Sequence, residues 1–184
     1  MADVKQLISD FYRVAAARDF QRDIQFRVLS ITPAGTTVTF DENDLVYAKA
    51  AKLPARAIEN VATKYMGLQF NIPGIVTYPE SENYTLEFYN DARNNLRQKF
   101  EDWSRDTFND ANSTGNYFTP SQSSTIDLVQ LDTQMNRVAQ YQLVGVSIRS
   151  VGAIEYKMGE GRGDIVSFPV GMAYHYFTRK QLAS

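Results

Sequence analysis

The sequence has 184 residues, the size of one compact domain, so we expect a single domain over 1–184. Lys and Arg number 19 and Asp and Glu 21, a formal net charge of −2, without the basic stripe typical of DNA-binding proteins. The absence of cysteine excludes disulfides, thiolate metal sites and cysteine nucleophiles, and it fits folding in a reducing cytoplasm.

The start of the chain does not read as a signal peptide, because two acidic residues interrupt its apolar pattern. No stretch approaches the ~18 consecutive apolar residues of a membrane span. We therefore expect a soluble, intracellular protein with no membrane anchor.

Apolar residues recur at helical spacing near the start and predict an amphipathic helix over 3–18, a helical extension of the domain (1–18). The stripe consists of Val4, Leu7, Ile8, Phe11, Val14 and Ala15. Such a stripe must be buried on its own domain or on a neighbour.

From Asp23 the apolar period changes to two, which predicts β-strands. A hairpin is predicted over 24–40, turning at Pro33-Ala34-Gly35. The segment 55–63 has no clean period and is predicted to be a long loop. Further strands are predicted at 45–52, 65–72, 84–89, 125–131, 140–148, 153–158 and 165–177.

A second helix is predicted over 92–108, with Asn90 or Asp91 as its cap. Its apolar stripe contains Ala92, Leu96, Phe100 and Trp103. The polar segment 109–124 that follows is long for a connection within a compact domain, which is typical of a disordered segment or a partner-binding loop.

The sequence offers little for catalysis or cofactor binding. The single histidine, His175, lies within a predicted strand, and no serine or cysteine motif accompanies it. The glycine-rich run 159–163 precedes a predicted strand rather than a helix, so it indicates a turn and not a phosphate-binding loop. We therefore expect a non-catalytic protein without metal or cofactor.

The predicted elements indicate a mainly β (α+β) fold, an antiparallel β-sandwich or barrel with one flanking α-helix and a short N-terminal helix. A sandwich of about seven strands leaves open strand edges, which invite pairing with other chains. Closing several copies into a ring removes those edges, and this gives a physical motive for self-assembly.

Four segments, in this order, carry a resemblance to a known family. They are KAAKLPA at 49–55, LEFYNDARNNLRQKFEDW at 86–103, VGVSIRSVGAIEYKMG at 144–159 and FPVGMAYHYF at 168–177. In order and spacing the chain resembles the tail tube proteins of contractile-tailed bacteriophages, from Phe20 to Phe177.

The resemblance implies a subunit that forms hexameric rings, whose inner strands join into a wide β-barrel and whose rings stack into a hollow tube. It implies the tail sheath protein, baseplate proteins and the tail terminator as partners, with the tape measure protein in the lumen. DNA would pass through without specific binding, which the acidic pI of about 5.4 suits. The protein would be assembled in the host bacterial cytoplasm and reside in the virion tail.

Residue roles follow from the same resemblance. The segment 53–65 matches a loop that reaches towards the neighbouring ring, which implies inter-ring contacts by Arg56, Glu59, Lys64 and Tyr65. Polar faces of otherwise apolar strands are lumen candidates, namely Lys49, Gln69, Asn71, Gln140 and Gln142. The helix 92–108 would lie on the outside of the tube, against the sheath.

Three alternatives remain open at this stage. The chain could be a baseplate tube initiator or adaptor, or the tube of a phage-derived contractile injection system. The third is a monomeric β-barrel that binds a small ligand, which would need a closed apolar cavity within one subunit.

Overall fold

The structure, a computed structural model, describes residues 8–115, 122–159 and 162–181. Its helices are α1 (Ile8–Arg18), α2 (Glu42–Leu45) and α3 (Asn95–Thr107). Its strands are β1 (Phe26–Thr32), β2 (Ala48–Ala50), β3 (Ala57–Tyr65), β4 (Leu68–Thr77), β5 (Tyr84–Tyr89), β6 (Phe108–Asn109), β7 (Thr114–Gly115), β8 (Thr125–Leu131), β9 (Arg137–Val144), β10 (Ser147–Val151), β11 (Ser167–Ala173) and β12 (Tyr176–Gln181). No helix among these residues is long and apolar enough to span a membrane.

Two four-stranded antiparallel sheets form the body of the fold. Sheet A has the strand order β1-β8-β9-β12, and sheet B has the order β10-β11-β5-β2. In sheet B, Val170 lies opposite Leu86 and Phe168 opposite Phe88, so alternate residues of both strands point into the sandwich. The mainly β sandwich expected from the sequence is confirmed.

One apolar core fills the space between the sheets. It combines sheet A residues such as Ile126 and Leu143 with sheet B residues such as Leu86, Phe88 and Phe168, all 0% exposed. A core of this kind is the main source of stability for a chain without disulfides.

Helix α3 packs on the inner face of sheet B, the face that sheet A also covers. The ring of Phe100 lies 5.1 Å from that of Phe88 and 6.2 Å from that of Phe168, both of which point into the core. Sheet A and α3 therefore form one layer, and sheet B alone forms the other. The helix begins at Asn95, three residues later than predicted, and its N-cap residue is Asn94. Asp91, predicted as a cap, lies before the helix and accepts hydrogen bonds from the backbone N–H groups of Asn95 and Leu96.

The predicted hairpin over 24–40 is wrong. Strand β1 pairs with β8, almost one hundred residues further along the chain, and residues 36–40 form no strand. The turn at Pro33-Ala34-Gly35 leads instead towards α2, and Phe40 packs on Phe100 with ring centroids 4.7 Å apart. The predicted strand over 153–158 is likewise absent.

The chain crosses from one sheet to the other twice at the same corner. Strand β9 of sheet A leads through Gly145 to β10 of sheet B, and β11 of sheet B leads through His175 to β12 of sheet A. The predicted single strand over 165–177 is therefore two strands. Gly145 has a φ of +74° and a Cβ there would lie 2.5 Å from His175 Nδ1, so the corner requires glycine.

Helix α1 ends at Arg18, as predicted, and Asp19 follows with a φ of +51°. The predicted stripe residues Val4 and Leu7 lie outside the described residues. No residue of α1 is buried, so the described part of the chain leaves its stripe uncovered.

Candidate assembly surfaces

A two-stranded hairpin projects from the sandwich where the sequence predicted a loop. Strands β3 and β4 pair with each other and with no other described strand. Their turn is Met66-Gly67, with φ values of +49° and +79°, the conformation that a two-residue hairpin turn requires. The predicted loop over 55–63 is thus wrong, because most of it is the first strand of this hairpin.

Between its tip and the pair Val61–Ile72, the hairpin has one apolar face and one polar face. Beyond the bulge in β4 the division ends, with Glu59 opposite Ile75 and Ile58 opposite Val76. Tyr65 lies opposite Leu68, Thr63 opposite Phe70 and Val61 opposite Ile72, and cross-strand partners share a face. Between them Lys64 lies opposite Gln69 and Ala62 opposite Asn71, on the other face. Leu68, Phe70 and Ile72 are 63%, 48% and 51% exposed, which is unusual for adjacent large apolar residues.

The four predicted inter-ring residues lie on or beside the hairpin. Glu59, Lys64 and Tyr65 belong to β3, and Arg56 directly precedes it. Lys64 is on the polar face together with two lumen candidates, Gln69 and Asn71, whereas Tyr65 is on the apolar face.

The other two glutamine candidates lie on the outer face of sheet A. Gln142 lies opposite Asp127, and Gln140 donates a hydrogen bond of 3.0 Å from Nε2 to Asp127 Oδ1. Ser30 donates to the other oxygen of Asp127 at 2.7 Å. This face is therefore a connected polar surface.

Lys49 lies on the outer face of sheet B, the opposite side of the sandwich from Gln140 and Gln142. Its Nζ is 2.7 Å from Glu87 Oε1 and 3.0 Å from Ser167 Oγ. The hydrogen bond from Lys49, and next that from Ser167, lowers the pKa of Glu87 below its ordinary value. The contact with Glu87 raises the pKa of Lys49, so both groups are charged at neutral pH and their charges cancel.

Both sheets end in strands with a partner on one side only. These outer strands are β1 and β12 in sheet A and β10 and β2 in sheet B. Their free backbone groups are available for pairing with another chain.

One feature of these surfaces was missed by sequence reasoning. The partners of Lys49, Glu87 and Ser167, come from strands far away along the chain, and no local pattern reveals such pairs. The alternation of Leu68, Phe70 and Ile72 with Gln69 and Asn71 follows from the sequence, whereas the exposure of the three apolar residues does not.

The described residues show no group of three or more His, Cys, Asp or Glu side chains that could hold a metal ion. His175, the one histidine, lies at the exposed corner, where its backbone N–H donates to the Val144 carbonyl at 2.9 Å.

Comparison with known proteins gives a consistent picture. No family model matches the chain. The tail tube protein gp19 of Enterobacteria phage T4 is 26% identical over 175 residues, which cover 92% of this chain and 98% of gp19.

Two solved structures share the fold. A chain in the tube-terminating cap of the anti-feeding prophage matches with a TM-score of 0.61 and 11% identity, covering 99% of this chain and 100% of that one. A chain in the sheath–tube complex of the extracellular contractile injection system PVC matches with a TM-score of 0.60 and 11% identity, covering 97% and 100%.

Proposed function

Because this chain belongs to the tail tube protein family of contractile-tailed bacteriophages, we propose that six copies form a ring and that stacked rings form the conduit for genome delivery. The chain is a structural subunit of a tail tube. The observation that supports the main-tube role is the match to gp19 over 98% of that protein's length.

The bore is lined by sheet B. The family resemblance implies that α3 faces outwards, and α3 shares a layer with sheet A. Sheet B is then the inner layer, and its outer strands β10 and β2 pair between neighbouring copies to close the barrel. Among the lumen candidates, this arrangement places Lys49 in the bore and Gln140 and Gln142 on the outside.

A bore lined in this way lets DNA pass without holding it. The ammonium group of Lys49 is paired with Glu87 at 2.7 Å, and the neighbouring residues Thr85, Ser167 and Gly171 of sheet B are uncharged. Arg149 of β10 is a further cation of this sheet, and its guanidinium donates to the Glu82 carbonyl. Protein affinity for DNA comes mainly from unpaired positive charges that displace counterions from the phosphates. Because Glu87 cancels the charge of Lys49, these two residues add no net positive charge to the lining, which favours transit of DNA over binding.

The hairpin β3–β4 reaches the neighbouring ring. Its tip residue Met66 is 85% exposed, and Arg56, Glu59, Lys64 and Tyr65 lie along its first strand or directly before it. Gln69 and Asn71, on the polar face of the hairpin, border the bore between rings.

The remaining partners follow from the tube. A sheath subunit packs over the outer layer around α3, the baseplate and the tail terminator contact the two ends of the tube, and the tape measure protein occupies the lumen. The protein is a component of the virion tail, assembled in the host cytoplasm and without enzymatic activity.

Electron microscopy of the purified protein tests the proposal. We expect hollow tubes of uniform width, with six-fold symmetry in end views. A protein that remains monomeric at every salt and protein concentration, with baseplates present as nucleators, would contradict it. Isolated rings that never stack would instead indicate the initiator.

The same tubes distinguish the remaining alternatives. DNA passage through reconstituted tails separates a phage tube from the tube of an injection system. The alternative of a monomeric ligand-binding β-barrel is disfavoured, because the interior that a ligand would occupy is filled by Tyr84, Leu86, Phe88 and Phe168.

A further inference from the structure

Helix α1 carries an apolar stripe that its own chain leaves exposed. Ile8, Phe11, Tyr12 and Val14 are 76%, 57%, 68% and 50% exposed. The ring of Phe11 stacks on that of Phe20 at 5.7 Å, so the segment after the helix folds back and enlarges the apolar surface. An isolated helix of 11 residues is marginal in water, so α1 gains most of its stability from whatever covers this stripe.

The apolar face of the hairpin is also exposed and would also be stabilised by a covering element. A two-stranded hairpin is marginally stable alone and becomes stable by adding strands or by packing against a helix. Helix α3 is already used, because Leu96, Phe100 and Trp103 are buried in the core. Among the described helices, α1 is the one longer than a single turn whose apolar residues are all exposed or half-buried.

The two surfaces match in size. A helix of 11 residues is ~17 Å long and ~10 Å wide. The apolar residues of β4 on this face, from Leu68 to Ile72, span roughly 13 Å, and the two strands lie ~5 Å apart, a surface that one helix of this length covers.

We propose that the apolar stripe of α1 docks on the apolar face of the β3–β4 hairpin of a neighbouring copy of this chain. The occupant is a second copy because the chain owns both surfaces and its described residues cover neither. A contact between two different patches is heterologous, so each copy gives one patch and receives the other, as a ring or stack requires. This inference rests on the proposed function and adds a specific contact to it.

Engineered disulfides test the contact, and the chain has no cysteine of its own to interfere. Phe11→Cys and Phe70→Cys are made in separate, differently tagged chains, which are mixed, assembled and mildly oxidised. We expect covalent heterodimers on a non-reducing gel. The matched pair Arg13→Cys and Asn71→Cys, on the polar sides of the same elements, is expected to give at least ten-fold fewer.

A charge substitution gives a second measurement. Phe11→Asp places a carboxylate in the contact, whereas Ser9→Asp places the same charge on the polar side of α1. Because both positions are exposed, we expect neither variant to change the melting temperature of the monomer by more than about 2 °C. Phe11→Asp is expected to reduce the tube fraction in a pelleting assay at least ten-fold, and Ser9→Asp to leave it unchanged.

The outcomes of these experiments distinguish a failure of the proposed docking contact from a failure of the proposed tube function. Tubes with few heterodimers for the Phe11–Phe70 pair, or normal tubes with Phe11→Asp, overturn the docking and leave the tube function intact. An unmodified protein that never assembles overturns both.

Discussion

At the residue scale, Trp103 connects the helix layer to the core. It is 3% exposed, and its ring lies 6.2 Å from that of Phe40. We expect Trp103→Ala to lower the free energy of unfolding by about 3–5 kcal/mol, because it removes a large buried ring and leaves a cavity. Urea titration of the monomer measures the change. Phe108→Ala, at a position that is 40% exposed, is the control and should cost about 1 kcal/mol or less.

A buried tyrosine makes stability sensitive to alkaline pH. Tyr84 is 1% exposed and donates a hydrogen bond of 2.6 Å to the Lys52 carbonyl. Burial raises the pKa of Tyr84 well above its ordinary value of 10.0. The native state therefore keeps the hydroxyl protonated at a pH where the unfolded chain ionises, and stability present below about pH 10 is lost as pH rises further.

Tyr84→Phe should therefore flatten the loss of stability at high pH. The urea midpoint of the variant, measured from about pH 9 to 11, should fall less than that of the unmodified protein. At neutral pH the variant should lose about 1 kcal/mol, because the Lys52 carbonyl loses its donor. Tyr156→Phe, at a position that is 73% exposed, should lose stability at high pH as the unmodified protein does. If Tyr156→Phe flattened the pH profile as much as Tyr84→Phe, the loss would not come from the buried hydroxyl of Tyr84.

At the element scale, β11 is one of the strands that are paired on both sides. It lies between β10 and β5, and Val170 is opposite Val151 on one side and Leu86 on the other. We expect Val170→Pro to prevent folding, because proline removes a backbone donor from a strand paired on both sides. Circular dichroism and gel filtration would show this loss. Val170→Ala keeps the donor and should fold with reduced stability.

The strands that could be predicted from the sequence are those with one face buried in the core. The bounds of β5 and β8 were predicted correctly, because alternate residues such as Leu86, Phe88 and Ile126 are core. Strand β3 was missed because both of its faces are exposed within the chain, so no core imposes a period of two. The break between β11 and β12 was missed because the alternation of bulky residues continues through the corner at Tyr174 and His175.

The surfaces were predictable only in part, for a related reason. The polar character of Gln140, Gln142, Gln69 and Asn71 follows from alternation along each strand. The sheet to which each belongs depends on pairings such as β1 with β8, which local patterns do not encode. Lys49 and Gln140 were therefore both predicted to line the lumen, although they lie on opposite faces of the sandwich. Only the strand order shows that they belong to different sheets.

At the scale of the whole molecule, the charge balance of the bore is open to test. In tubes of Glu87→Gln, each subunit presents Lys49 without its carboxylate partner. We expect these tubes to retain labelled DNA, measured by co-sedimentation, with an affinity that falls steeply as salt increases. Unmodified tubes should retain little.

The control for this measurement is Glu101→Gln, which removes the carboxylate partner of Arg97 on α3 while Arg97 keeps its hydrogen bond to the Gly152 carbonyl. The Arg97–Glu101 pair has an N···O distance of 2.8 Å, close to that of Lys49 and Glu87, but it belongs to the outer layer. Glu101→Gln should leave DNA retention unchanged. Equal retention by both variants would mean that sheet B does not line the bore.

The double crossing at the corner of Gly145 and His175 has a mechanical consequence. Two covalent connections join the sheets side by side, and Ser124 is hydrogen-bonded to the first of them through its carbonyl, which accepts from Gly145 at 3.0 Å. Sliding one sheet past the other would stretch covalent backbone, which is far stiffer than packed side chains. A subunit pushed along the tube axis therefore transmits the thrust as one rigid block, and the compliance of the tube resides in the joints between subunits.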